Sequence, residues 1–219
     1  MASRFAKYTL MLASVTLVVG GTEDPQDTDP PLYAAIRANN SEAVLALLKA
    51  KPSLAKGPVH PVQKAPPLYF ACLRPNPDAR IAEALIENGA PYGTEKMSGA
   101  SYLQFAVMGG GAGLIDVLLK HGGKDLLDKQ DGEGATALMI AASTLNVDVV
   151  RVLLKHGANP TLTDYEFKRK ASGIPGAYGD TCRGDDCIEA VLLKAEAEWK
   201  GRVGIPKIKR KGKRKKADL

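Results

Sequence analysis

Little in these 219 residues is equipped for chemistry. The chain has three histidines and three cysteines. No HExxH or CxxC string occurs, and no nucleophile and base fall in a recognisable arrangement. Gly109-Gly110-Gly111-Ala112-Gly113 lacks the Lys-Ser/Thr of a phosphate loop, and its place between two helical stretches reads as a turn. No second close pair of Cys or His completes a zinc site beside Cys182 and Cys187. The expectation is a non-enzymatic protein with no catalytic residue, cofactor, metal or small-molecule substrate. Aromatic residues make up only 5% of the chain, so the core must be built from Leu, Ala and Val.

A unit is nevertheless written clearly between Gly132 and Asp164. Thr136-Ala137-Leu138 opens a short helix that presents Leu138, Ala141 and Ala142. After a polar break at Asn146, Asp148 to Leu154 reads as a second helix that stops at Lys155-His156-Gly157. Gly157 is expected in the left-handed conformation because it has no Cβ to clash there. The same offsets recur upstream. Leu103-Gln104-Phe105-Ala106 precedes Leu118-Leu119 and Lys120-His121-Gly122, and Leu32-Tyr33-Ala34-Ala35 precedes Leu47-Leu48. Leu68-Tyr69-Phe70-Ala71 precedes Leu85-Ile86 and Gly89-Ala90 once two extra residues are allowed within Arg74 to Asp78. The opening leucines at 32, 68, 103 and 138 give intervals of 36, 35 and 35 residues. Two such short helices cannot bury their apolar faces alone, so the units must stack. His121 and His156 fall at equivalent helix ends, where the dipole favours them, and His60 lies in the Pro-rich loop from Gly57 to Pro66.

These residues resemble the ankyrin repeat family, whose unit of about 33 residues carries a T-P-L-H-x-A signature. Thr136 and Leu138 match it, whereas Ala137 replaces the proline and Met139 the histidine; Pro30, Pro66 and Ser101 stand where Thr136 does. The resemblance covers Pro30 to Asp164 as units 30–63, 64–98, 99–131 and 132–164, with 165–202 as a divergent cap. It implies an all-α solenoid of helix-turn-helix units that binds a protein partner through the first helices and the intervening turns. The turns concerned are Gly93 to Lys96, Lys129 to Asp131 and Thr161 to Asp164. The expected contact residues are Glu95, Lys96, Gln130 and Thr163 there, with Tyr69, Gln104 and Met139 on the first helices. They vary between copies while the packing leucines do not. A monomer is expected, and the partner's identity is not written in the sequence.

The two ends differ from the body. Arg4 and Lys7 precede Tyr8 to Val19, a run of apolar and small hydroxyl residues, and Gly20-Gly21 gives way to the acidic, Pro-containing stretch from Thr22. A positive start, a short apolar run and small residues before a cut are the parts of a secretory signal peptide. The expectation is therefore a signal in 1–21, an acidic linker in 22–29 and a secreted or periplasmic protein. The run falls short of the roughly 20 apolar residues that cross a bilayer, which makes a membrane anchor the second choice. A mitochondrial address and a helix packed on the first repeat are the others.

At the far end the net charge of +6 resolves into two parts. From Lys200 to Leu219 there are ten Lys and Arg and one Asp, so the body carries a net −3. The basic tail, 203–219, cannot bury enough to fold alone. Lys207, Lys209, Arg210, Lys211, Lys213, Arg214, Lys215 and Lys216 could hold nucleic acid or anionic lipid without sequence readout. In a cytosolic protein they would read as a nuclear address, and otherwise as a solubilising tail. Export and nuclear import exclude one another, and the front end combines more independent features.

Cys72 reads as a small buried hydrophobe. Cys182 and Cys187 bracket four residues and could close a small disulfide ring in an oxidising compartment, or remain two thiols. Arg183-Gly184-Asp185 between them is similar to the tripeptide read by integrin receptors, but Asp185 or Asp186 serves more simply as the cap of the following helix. That helix carries Ile188, Val191, Leu192, Ala195 and Trp199 as one apolar stripe. Asn39-Asn40-Ser41 fits a glycosylation acceptor, although Asn39 with Glu42 also reads as a capping box, which is the reading adopted.

Overall fold

The computed structural model describes residues 30–57, 65–94, 98–121, 123–174 and 187–202. Among them are nine α-helices, eight of which form four pairs. The pairs are α1 (Pro31–Arg37) with α2 (Ser41–Ala50), α3 (Pro67–Leu73) with α4 (Ala79–Glu87), α5 (Tyr102–Met108) with α6 (Ala112–Lys120), and α7 (Ala137–Ser143) with α8 (Val147–Lys155). A short 3₁₀ turn at Ala171–Gly173 and the long α9 (Ile188–Arg202) follow. Two further 3₁₀ turns, Pro52–Lys56 and Gly123–Leu126, trail the second helices.

Stacking produces two layers. The first helices α1, α3, α5 and α7 pack in succession, and the 171–173 turn takes the fifth place in that layer. The second helices α2, α4, α6 and α8 pack likewise, with α9 against α8. Helices of seven residues are too short to persist in water alone, so their stability comes from neighbours. Composition allows it. Every residue of α5 and Ala137 to Ala142 of α7 are buried, because those helices are apolar on all sides. The second helices are amphipathic and bury one stripe, such as Val149, Val150 and Leu153 of α8.

Local signals set the helix starts. Ser101 makes a full capping box, accepting from the Gln104 N–H at 3.2 Å while the Gln104 side chain accepts from the Ser101 N–H at 2.6 Å. Thr136 accepts from the Met139 N–H at 3.3 Å. Pro30 and Pro66 make no side-chain cap, and the proline that follows each lacks the donor that would need one. Asn40, rather than Asn39, caps α2 by accepting from the Ala43 N–H. Asn39 instead takes φ 54° and accepts from the Asp78 N–H of the next unit at 3.0 Å. The capping box expected at Asn39 does not form: the cap moves to Asn40 without a return bond from Ala43, because Asn39 serves the inter-helix turn.

The two extra residues of the second unit are packed rather than idle. Asn76 takes φ 47° and donates its N–H to the Gly109 carbonyl at 3.1 Å. A Cβ on Gly109 would lie 2.4 Å from the Arg74 carbonyl oxygen, and one on Gly111 would lie 2.6 Å from Pro77 Cγ. The glycine run of the third unit is therefore a close-approach surface for the insertion of the second. Gly157 has φ 92°, the left-handed helix terminus its position requires.

Candidate functional site

The residues at the position of the signature's histidine are Tyr33, Tyr69, Gln104 and Met139. Tyr33, Tyr69 and Gln104 reach along the array into the next unit. Tyr33 Oη donates to the Ala65 carbonyl at 3.0 Å, and Gln104 Nε2 donates to the Ala135 carbonyl at 2.7 Å. Ala65 and Ala135 hold equivalent places, immediately before Pro66 and Thr136, so a phenol and an amide make the same inter-unit bond. Tyr69 meets Tyr102 and Phe105 of the next unit at ring centroids 5.5 and 5.2 Å apart. Met139 is 1% exposed and Gln104 fully buried.

This corrects the reading of Gln104 and Met139 as partner contacts. Burial puts both out of a partner's reach. Tyr69 is half-buried against the core.

The turns between units form a bonded row along one edge. The Gly132 N–H donates to the Ser98 carbonyl at 2.8 Å, and the Tyr165 N–H to the Glu133 carbonyl at 3.1 Å. Gln130 Nε2 donates to the carbonyls of Gly134 and Thr163 at 2.7 and 2.8 Å. Gln130 and Thr163, expected to meet a partner, thus meet each other. Glu95 and Lys96 lie outside the described residues, as do Cys182, the RGD-like tripeptide, His60, residues 1–29 and the tail from 203. Beside them, Thr94 bridges Ser101, and the Tyr102 N–H reaches the Gly93 carbonyl at 3.0 Å.

Two buried carboxylates pin the last turns. Asp131 accepts from the N–H groups of Glu133 and Ala135 at 3.0 and 2.9 Å. Asp164 accepts from the Phe167 N–H at 2.7 Å and from Arg169 Nε at 3.0 Å. Burial alone would raise the pKa of Asp164, but those N–H and guanidinium donors outweigh it and hold the carboxyl below its ordinary value. The turn that Asp164 secures presents Tyr165 and Phe167, 54% and 58% exposed. Arg169 sits 4.4 Å over the Phe167 ring, and a Cβ on Gly134 would fall 2.6 Å from the Tyr165 ring. Of the other described aromatics of the repeats, Tyr33, Tyr69, Phe70, Tyr102 and Phe105 pack against one another inside the array, and Tyr92 packs against the core. Tyr165 and Phe167 were not among the expected contacts. Their scarcity elsewhere and their place just after Asp164, the equivalent of Asp131, were the available signals.

Opposite this edge, on the second helices, acid and histidine meet between units. His156 Nε2 lies 2.8 Å from Asp116 Oδ1, and His121 Nε2 lies 3.8 Å from Glu83 Oε1. Lys120, then His156, hold the Asp116 carboxyl below its ordinary value. Beyond the fourth unit, α9 buries Ile188 and Leu192, and Glu196, 6% exposed, accepts from Lys170 Nζ at 2.7 Å and from the Ser172 hydroxyl. Cys187, at the start of that helix, is disulfide-bonded. Cys72 is free and fully buried, and burial pushes its thiol pKa far up, as a small hydrophobe's place in the core requires.

The two-layer stack of paired short helices with a bonded edge of turns defines a helical repeat protein. Within that class, the family model "Ankyrin repeats (3 copies)" matches residues 68–164. Those residues are ankyrin repeats. Ankyrin repeats generally mediate protein–protein interactions, and the family is generally non-enzymatic.

Proposed function

We propose that this chain is an exported, monomeric, non-enzymatic scaffold that binds a protein partner along its turn edge and first-helix side, with Tyr165 and Phe167 as the anchor. The observation that carries this reading is the exposure of two aromatic rings on a turn fixed by a buried carboxylate. Anchors of this kind dominate binding energy at protein interfaces, because large rings already held in place lose little freedom on contact. Charge around them is balanced, with Glu166 beside Lys168 and Arg169 paired to Asp164. Contact there should therefore persist at high salt. Export rests on the sequence from Arg4 to Thr22, and the disulfide at Cys187, whose expected partner is Cys182, suits an oxidising compartment.

The second reading rests on the ten basic residues of the last twenty, which would hold nucleic acid or anionic lipid. Three forms of the protein separate the two in its own host: the full chain, a chain lacking Lys207 to Lys216, and a Tyr165→Ala/Phe167→Ala chain. A protein kept at high salt by the tail-less chain and lost by the double variant supports the scaffold. Loss with the tail alone would replace it by the electrostatic adaptor. Export is read separately from the N-terminal residue of the purified protein; Thr22 supports it, and Met1 or Ala2 would make the nucleus the leading location.

A further inference from the structure

The Tyr165 ring lies against bare backbone. A Cβ on Gly134 would fall 2.5 Å from the Tyr165 nitrogen and 2.6 and 2.7 Å from Cγ and Cδ1 of its ring, so the ring uses space that only a glycine leaves open. Gly134 is itself buried and left-handed, with φ 84°. Its N–H donates to the Asp131 carbonyl at 3.0 Å, its carbonyl accepts from Gln130 Nε2 at 2.7 Å, and the Tyr165 N–H donates to the adjacent Glu133 carbonyl. The surface under the ring is therefore fixed. Phe167 is backed in a comparable way by Arg169, whose Nε is held by the buried Asp164.

The preceding seam shows that the units join without such a ring. Gly99 holds the place of Gly134 one unit earlier, with φ 70°. Gly132 holds the place of Tyr165, since its N–H donates to the Ser98 carbonyl as that of Tyr165 does to Glu133. A Cβ on Gly99 would meet only backbone, the Gly132 nitrogen at 3.5 Å, which is ordinary contact. Glycine thus faces glycine at one seam and tyrosine at the next, and the inter-unit bond forms at both. Left-handed backbone calls for glycine at 99 and 134 alike. The close approach of a ring is an additional demand at 134 alone.

We infer that Gly134 is the positioning residue of the partner anchor: it leaves the seat in which the Tyr165 ring is held before a partner arrives. This rests on the reading of Tyr165 and Phe167 as the anchor, and adds the residue that sets it. A ring already fixed gives up little freedom on contact. The partner then meets the face of Tyr165 turned away from Gly134 and the face of Phe167 turned away from Arg169. Filling the seat weakens binding although no contacting atom is removed.

The test uses the full chain grown with 3-fluorotyrosine, as the parent, Gly134→Ala and Gly157→Ala, with Tyr165→Phe to assign the Tyr165 signal. Gly157→Ala is the matched control, because φ 92° imposes left-handed strain there too while nothing lies within 4 Å of the added Cβ. In the parent and Gly157→Ala the Tyr165 fluorine should resonate away from the free-tyrosine position. In Gly134→Ala it should move to that position, while the signals of the buried Tyr33 and Tyr102 stay in place and report a folded array. The protein that the tail-less chain retains at high salt, once purified, should bind Gly134→Ala at least about ten-fold more weakly than Gly157→Ala. A Tyr165 signal at the free-tyrosine position in the parent, or one that Gly134→Ala leaves unmoved, overturns the seat. If Gly134→Ala does not fold, nuclear Overhauser contacts between the Gly134 Hα protons and the Tyr165 ring in the parent decide, and their absence overturns it. A moved signal with undiminished binding overturns the positioning role and leaves the scaffold standing. If Tyr165→Ala/Phe167→Ala also binds undiminished, the anchor reading itself falls.

Discussion

The two layers of the array are joined by different forces. First helices are largely buried, α5 throughout, and linked by neutral groups: the Tyr33 phenol, the Gln104 amide and the Tyr69, Tyr102 and Phe105 rings. Second helices keep one face in water and are linked by charge, Glu83 to His121 and Asp116 to His156. Dry neutral bonds are insensitive to salt and pH but costly to lose, because the abandoned partner stays buried. Wet ionic ones are cheap to lose and respond to both. The lesson is that one repeat can be conditionally joined on one side and unconditionally on the other.

The strongest way to break that contrast is in the first layer. Phe105→Ala should destabilise by about 4 kcal/mol, the range for removing a buried ring and leaving a cavity, read as a shift in the urea midpoint. Gln104→Ala should cost roughly 1–3 kcal/mol, since it orphans the buried Ser101 N–H and leaves the Ala135 carbonyl with the Asp131 N–H alone. If that cost were no larger than that of an ionic link in the second layer, the proposed difference between layers would be wrong.

Smaller changes sharpen it. Leu145 holds φ 56° while 53% exposed, so Leu145→Asn should raise stability by about 1 kcal/mol by relieving left-handed strain without loss of burial. Asp116→Asn should cost only about 0.5 kcal/mol near neutral pH. Because the Asp116 carboxyl is held below its ordinary value, its contribution is full above the unfolded value near 4 and fades as pH falls through the folded value. Parent and variant midpoints should therefore converge as the pH falls through that folded value, whereas the Gln104→Ala deficit should stay constant. A pH-dependent Gln104 deficit would mean that the first layer also carries charge.

The array was legible because packing leucines and the Gly157 terminus obey spacing rules that each unit repeats. The first unit, with Lys51 in place of the terminal glycine, still pairs α1 with α2. Spacing cannot say which way a variable residue points. Gln104 and Met139 looked like surface because they differ between copies, yet both are buried. Glu196 was invisible for a related reason: a carboxylate inside an apolar stripe makes sense only once Lys170 and Ser172 are brought to it. The exposed aromatic turn escaped notice because it falls just past the last matching position, where the repeat register stops guiding the eye.

The insertion from Arg74 to Asp78 and the glycine run from Gly109 have a consequence for how such an array can be reassembled. A unit with an ordinary side chain at position 109 or 111 could not follow the second unit, since the space is already taken by Arg74 and Pro77. A unit with the glycine run placed elsewhere would keep its backbone freedom with nothing to fill the room. Units two and three are a lock and its keyhole, so a builder of shuffled arrays would have to move them as one piece.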